Sequence, residues 1–198
     1  MRLLLASKSP RRRQLLGELG YPLEFVSIDV DEQVPAGTAA AQVAELLARR
    51  KANAFPIAQI GKDDLLITAD TVVVHRDEVL GKPHDRNQAI AMLQGLVGDS
   101  HSVYTGVCMR SCKETVSFTE KTDVHFRHLT DDEVAYYVDH YRPYDKAGAY
   151  GIQEWIGMVA ASRIEGCYYN VMGLPVARVY ETLRQMGFCL PSGPSSQV

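Results

Sequence analysis

Asp64-Leu65-Leu66-Ile67-Thr68-Ala69-Asp70-Thr71-Val72-Val73-Val74 is an apolar run rich in β-branched residues, the composition of a central strand. One carboxylate interrupts it. Between Ile67 and Val72 a charge is expensive unless it is hydrogen-bonded, paired, bound to a metal or open to a cleft. A strand that broke at Ala69-Asp70 would instead leave the side chain exposed.

The neighbouring segments give this strand its company. Downstream, Arg76-Asp77-Glu78 reads as a turn into Val79-Leu80, a hairpin ending at Gly81-Lys82-Pro83. Asp85 is placed to cap a helix through Ala89, Leu93 and Leu96 that Gly98 closes. Strand-like runs at 102–109 and 115–126 follow, joined by a polar turn. Upstream, a short apolar run, Leu3-Leu4-Leu5-Ala6, gives way at once to a helix pattern with Ser9 at the N-cap and Pro10 at the first helical position. Gly20 is a natural stop, and 23–28 alternates as a strand. Thr38 is expected to cap a long helix through Val43, Leu46, Leu47 and Ala54, disturbed near Pro56.

Towards the C-terminus, Thr130-Asp131-Asp132-Glu133 is a capping-box signature. An irregular segment spans 142–153, strand-like runs lie at 158–164 and 168–172, and Gly173-Leu174-Pro175 opens a last helix. Helices and strands alternate early and hairpins dominate the middle. The expected fold is therefore α/β, one domain over 1–190 with a mixed, curved sheet flanked by helices. The Ser- and Pro-rich stretch 191–198 reads as a disordered tail.

Composition narrows the function. The 198 residues are 46% hydrophobic and carry a net charge of −3, which disfavours broad salt-driven binding to nucleic acid. No apolar run approaches the roughly 20 residues of a membrane span. Cys108, Cys112, Cys167 and Cys189 follow no zinc or redox spacing and read as reduced thiols of a cytoplasmic protein. There is no P-loop, since Gly61-Lys62 meets Asp63 and Gly81-Lys82 meets Pro83, and no dinucleotide fingerprint or nucleophile elbow.

What remains points to an anion. Arg11, Arg12 and Arg13 fill the first turn of the first helix, where the macrodipole disfavours positive charge. Ser7, Ser9 and free backbone N–H groups beside those arginines suit a bound phosphate, although solvated arginines would look the same. With phosphate nearby, Asp70 could ligate magnesium or accept a proton from an attacking water. Glu32 sits in an acidic loop that alone would read as solvated, and Lys51 and Lys82 are weak signals by themselves. The segment 145–153, with two glycines around Tyr150, can approach a ligand closely, and the Gln153 amide could read the N3–H and O4 edge of uracil or thymine.

Taken together, Leu-Ala-Ser-Lys-Ser-Pro-Arg-Arg (5–12), Ala-Asp-Thr-Val-Val (69–73), Gly-Lys-Pro (81–83), Asp-Lys-Ala-Gly-Ala-Tyr-Gly-Ile-Gln (145–153) and Asn-Val-Met-Gly-Leu-Pro (170–175) resemble the Maf family of nucleoside triphosphate pyrophosphatases. The resemblance implies an inosine-triphosphatase-like fold with a central nucleotide cleft between two lobes. It implies hydrolysis of a nucleoside triphosphate to the monophosphate and pyrophosphate with Mg2+ or Mn2+. By motif, Asp70 matches the general base, and Arg11, Thr71 and Gln153 match specificity positions. Ser7, Arg12, Glu32, Lys51 and Lys82 match polar residues of the same cleft, with Asp70 and Glu32 the expected metal ligands. The 145–153 version resembles the branch acting on dTTP and UTP; a sister branch acts on 7-methyl-GTP. A nucleotide-binding regulator of cell division or septum formation is the rival role, and a homodimer is compatible with the family. Trp155 and Arg13 stand beside motif positions where they could alter base choice. Because adjacent strand residues face opposite ways, Asp70 and Thr71 are expected to share a pocket only through a bend or end of the strand there.

Overall fold

The computed structural model describes residues 2–35 and 37–189. Residues 191–198, expected as a tail, lie outside this range. In chain order the elements are β1 (Leu3–Ala6), α1 (Pro10–Gly17), β2 (Leu23–Val26), α2 (Ala40–Ala54), β3 (Leu65–His75), β4 (Glu78–Leu80) and α3 (Arg86–Leu96). They continue with β5 (Ser100–Arg110), β6 (Thr115–Phe126), α4 (Asp131–Tyr141), α5 (Trp155–Ala160), β7 (Ala161–Glu165), α6 (Tyr168–Met172) and α7 (Val176–Gln185). Among the described residues no helix is long and apolar enough to cross a membrane.

One mixed sheet runs in the order β2-β1-β3-β5-β6-β7. β1 lies parallel to both β2 and β3, and the remaining pairs are antiparallel. β3 is the central strand. β5 pairs with it from Leu66 to Val74 without a shift of register. Its other edge is shared: β1 leaves it at Thr68, and β4 joins it only at Val73. Residues 69–72 therefore have no strand neighbour on that edge. This gap in the sheet is where the cleft opens.

The side-chain alternation of β3 divides the core. Leu66, Val72 and Val74 pack under α2 against Val43, Ala44, Leu47, Ala48 and Ala52. Leu65, Ile67 and Ala69 face the other way, onto Leu15 and Leu16 of α1 and Val179 and Leu183 of α7. Farther along that second face Val73 joins a cluster with α3, α4 and α5. Helix α2 sits very close to the sheet. A Cβ on Gly106, the β5 partner of Asp70, would stand 2.2 Å from the Glu45 nitrogen and 2.3 Å from the Ala44 carbonyl carbon. The Thr68 hydroxyl donates to the Ala48 carbonyl at 2.7 Å across the same contact.

Local signals set most boundaries. Ser9, Asp85 and Thr130 each accept a backbone N–H at a helix start, and Thr130 with Glu133 completes a capping box. Four expectations change. Thr38 does not cap α2: its hydroxyl donates to the Pro35 carbonyl, and Ala39 stands at the N-cap without a side-chain bond. Gly20 shapes a turn at φ 78° after α1 has already ended at Gly17. The run 158–164 divides into α5 and β7, because Ile156 and Ala160 bury one helical stripe and Gly157 packs on the Ile152 carbonyl, where any side chain would clash. The run 168–172 is helix α6, held by Asn170, whose buried amide donates to the Val103 carbonyl and the Thr122 hydroxyl. Short apolar runs carry no period that separates these cases.

Candidate active site

All nine residues singled out in the sequence line one cleft of about 1210 Å³ at the open edge of β3. One wall is the start of α1. Ser7 Oγ accepts the Ser9 N–H at 3.2 Å, and Ser9 caps the helix at Arg12. The Arg12 guanidinium lies in the sheet gap. Nε donates to the Gly173 carbonyl at 2.8 Å, Nη1 to the Ala69 carbonyl at 2.9 Å and Nη2 to the Thr71 hydroxyl at 2.8 Å. Burial pulls this guanidinium below its ordinary range, and Asp70 pulls it back. Three of an arginine's five N–H donors are thus committed to the fold, leaving two without a partner among the described residues. Arg11 reaches Asp145 at 3.1 Å across the cleft mouth. Arg13 turns away, donating to the Ser7 carbonyl with its guanidinium over the Phe25 ring.

The carboxylates meet at one ammonium. Lys51 Nζ lies 2.5 Å from Asp70 Oδ1 and 2.7 Å from Glu32 Oε1. Its hydrogen bond holds the Glu32 carboxyl below the usual range against the cost of partial burial, with Lys82 and Arg12 adding to the effect. Lys82 follows β4 on a turn tied down by the Gly148 N–H, which donates to the Gly81 carbonyl at 3.1 Å. Asp70 and Thr71 do line the same cleft, but not because β3 bends. The strand continues in register, Asp70 points to α2 and Lys51, and Thr71 points to Arg12 and Thr105 on the opposite face. Missing strand partners at 69–72 make both faces accessible from the edge.

Opposite the arginines lies the turn 145–154. Gly148 and Ala149 adopt φ 68° and φ 60°, and Tyr150 is anchored by a 2.7 Å hydrogen bond between its hydroxyl and His101 Nε2. Gln153 carries a buried side-chain oxygen, Oε1, with no hydrogen-bond donor. A buried acceptor left unpaired is costly, and a turn of this amide towards the cleft that Gln153 lines would let a ligand N–H remove that cost. Trp155 packs outward on Tyr136 at 5.1 Å between ring centroids.

Some members of the site carry no sequence signal for their role. The Ala69 and Gly173 carbonyls that hold Arg12 are main-chain groups, and Asp145 meets Arg11 from 134 residues away. Lys146 lines the cleft, and Glu154 and Tyr137 back it from outside through Lys146 and Gly151.

A model of the family described as Maf-like protein matches residues 2–186. The chain belongs to the Maf family. Among its relatives, this Maf chain is 48% identical over 186 residues to a Bacteroides fragilis protein named dTTP/UTP pyrophosphatase, covering 93% of this chain and 96% of that protein. A Porphyromonas gingivalis protein of the same name is 48% identical over 188 residues, with 94% of each chain covered. One from Flavobacterium johnsoniae is 42% identical over 182 residues, covering 92% and 93%. The solved structure of the Staphylococcus aureus Ham1 protein matches this Maf chain with a TM-score of 0.52 at 14% identity, covering 94% of this chain and 99% of that one. That likeness is one of fold, and it agrees with the mixed α/β sheet expected from the sequence.

Proposed function

We propose that the chain hydrolyses dTTP and UTP to the monophosphate and pyrophosphate. One observation carries the reading: a single cleft is lined on one wall by Gln153, whose buried side-chain oxygen has no donor, and on the other by Arg11, Arg12, Lys51 and Lys82 with two carboxylates. A uracil or thymine N3–H matches that oxygen, and the Gln153 amide N–H₂ matches the neighbouring carbonyl. The names of the relatives support the same substrates.

In this reading the cationic side chains bind the triphosphate, which carries about four negative charges near neutral pH. Asp70 takes a proton from the water whose oxygen attacks the α-phosphorus, and the bond from that phosphorus to the β-phosphate bridging oxygen breaks. Pyrophosphate leaves with the electron pair, its charge held by Arg11, Arg12 and Lys82. Lys51 keeps the Asp70 carboxylate aimed into the cleft.

Asp70 and Glu32 would hold a divalent Mg2+ or Mn2+. Both carboxylates come within 2.7 Å of the Lys51 ammonium, which places the two close enough together to share an ion beside it. Among the described residues no third His, Cys, Asp or Glu joins them. Two carboxylates completed by phosphate oxygens and water are the usual Mg2+ arrangement with nucleotides, so the residues fit. The ion would supply charge neutralisation on the phosphates. We assign the site to one domain over residues 2–189, and the four free thiols support a cytoplasmic setting.

Pyrophosphate release across a nucleotide panel with Mg2+ and with Mn2+ tests the reading. The expected result is turnover of dTTP and UTP above dCTP and GTP, lost in Asp70→Asn and no longer selective in Gln153→Ala. Binding without turnover would favour a regulatory role, and a 7-methyl-GTP preference would place the chain with the sister branch.

A further inference from the structure

The turn that carries Gln153 rests on a buried polar network outside the reacting groups. Glu154 Oε1 lies 3.1 Å from Lys146 Nζ, and Oε2 accepts a short hydrogen bond from the Tyr137 hydroxyl. That hydroxyl in turn accepts the Gly151 N–H at 3.0 Å. Tyr137 is fully buried and Lys146 is 8% exposed. Lys146 also holds Asp145 at 2.7 Å. The Glu154 and Gln153 side chains both fold back over the turn: a Cβ on Gly151 would stand 2.8 Å from Glu154 Cδ and 3.0 Å from Gln153 Nε2.

A buried carboxylate–ammonium pair gains little stability over well-packed apolar side chains, because desolvation offsets most of the attraction. What such a network does supply is a fixed geometry. Here it fixes the peptide at Gly151, two residues before the amide whose oxygen is left without a donor. Burial and the Glu154 contact both raise the Tyr137 phenol far above its usual range, so its proton stays in place to donate to the carboxylate.

We infer that Glu154 is a positioning residue for base recognition, holding the Gly151 peptide through Tyr137 and Lys146 so that the Gln153 amide meets the N–H and carbonyl edge of a uracil-type base. The inference rests on the base-reading role proposed for Gln153. Lys146 reaches Arg11 through Asp145, but Tyr137 and Glu154 bond none of Asp70, Lys51, Glu32 and Arg11, so the effect of changing those two belongs to substrate affinity and not to the chemical step.

The test uses the purified full chain and steady-state pyrophosphate release from dTTP, UTP and dCTP. The variants are Gln153→Ala, Glu154→Ala, Glu154→Gln and Tyr137→Phe, each with its melting temperature. Glu154→Ala and Tyr137→Phe are expected to raise KM for dTTP and UTP about tenfold, the worth of one charged hydrogen bond. Their kcat should stay within about twofold and their dCTP constants near wild type, so that the preference falls about tenfold with the KM. Glu154→Gln keeps an acceptor for Tyr137 and should recover most of the preference. Equal losses on all three nucleotides, or an unchanged preference in folded variants, would overturn the inference. If Gln153→Ala abolishes the preference and the Glu154 and Tyr137 variants do not, only this inference fails. If Gln153→Ala leaves the preference intact, the base-reading proposal fails with it. Should Glu154→Ala not fold, Tyr137→Phe and Glu154→Gln decide.

Discussion

Replacing Gly106 by alanine probes how helix α2 delivers Lys51 to the strand that carries Asp70. The added Cβ would lie 2.2 Å from the Glu45 nitrogen and 2.4 Å from the Ala44 oxygen, and both are backbone atoms that cannot rotate aside. Ordinary contact begins near 3.4 Å, so α2 must lift by about 1.2 Å or β5 must sink by as much. Such overpacking typically costs about 1–3 kcal/mol, and rigid partners put this case at the upper end. For a chain of this size that lowers Tm by about 5–10 °C. The lift also strains the Thr68 bond to the Ala48 carbonyl and the two bonds from Ser117 and Thr119 to Glu45. Lys51 sits two turns along from the contact, with Nζ 2.5 Å from Asp70 Oδ1. Displacing a positioned group by about 1 Å can cost as much as 100-fold in rate, so kcat/KM for dTTP should fall by about 10- to 100-fold. Thermal melts and pyrophosphate release measure both effects. Gly95→Ala is the control: it is exposed in α3 with nothing within 4 Å of its Cβ, and it should gain about 0.5–1 kcal/mol. A Gly106→Ala protein with wild-type Tm and kcat/KM would refute this account of how α2 is seated.

Arg12→Lys keeps the charge but cannot reach the Gly173 carbonyl, the Ala69 carbonyl and the Thr71 hydroxyl together, so we expect a loss of about 2 kcal/mol in denaturant melts and a KM for dTTP raised more than tenfold. His101 is buried with its pKa lowered from the usual 6.5 to about 4 by desolvation, then by the charges of His75 and His125. Its neutral form is the folded one, so as pH falls from 6.5 towards 4 the unfolded chain takes up a proton that the folded chain refuses, and about 3 kcal/mol of stability is lost. Chemical denaturation across that window should show one proton fewer taken up on unfolding in His101→Gln, and an unchanged slope would remove His101 from the account. Thr130→Ala breaks the capping box at the start of α4 and should cost about 1 kcal/mol in thermal melts while leaving kcat for dTTP unchanged.

The parts legible in the sequence are those whose cause is local. Ser9 with Pro10, Asp85, and Thr130 with Glu133 declare helix starts because the group that satisfies the free N–H lies three residues away. Asp70 was conspicuous for a related reason, a charge in an apolar strand needing a partner, and Lys51 is that partner. The short helices α5 and α6 read as strands because their apolar runs carry no decisive period and their conformation follows from packing on Ile152 and Thr122. The premise that Asp70 and Thr71 face opposite ways was sound. The bend drawn from it was not needed, since the opening comes from β1 stopping at Thr68 and β4 starting at Val73, a fact about neighbours that β3 itself does not encode. Arg12 is the clearest case of a role invisible in sequence: its acceptors include carbonyls 57 and 161 residues away.

The unbroken ladder between β3 and β5 has a mechanical consequence. Both run past the cleft from one core cluster into the other, nine consecutive residue pairs without a bulge, and β6 continues the same register on β5. A jaw-like rotation of one end against the other would have to shear those main-chain bonds, so it is not an available motion. Accommodation of a nucleotide falls instead to the loop with Glu32 and the turn with Lys82, while the frame keeps its dimensions. The radius of gyration in solution scattering should therefore be the same with and without a non-hydrolysable nucleotide, and amide exchange should slow in those two loops and not in β3 or β5.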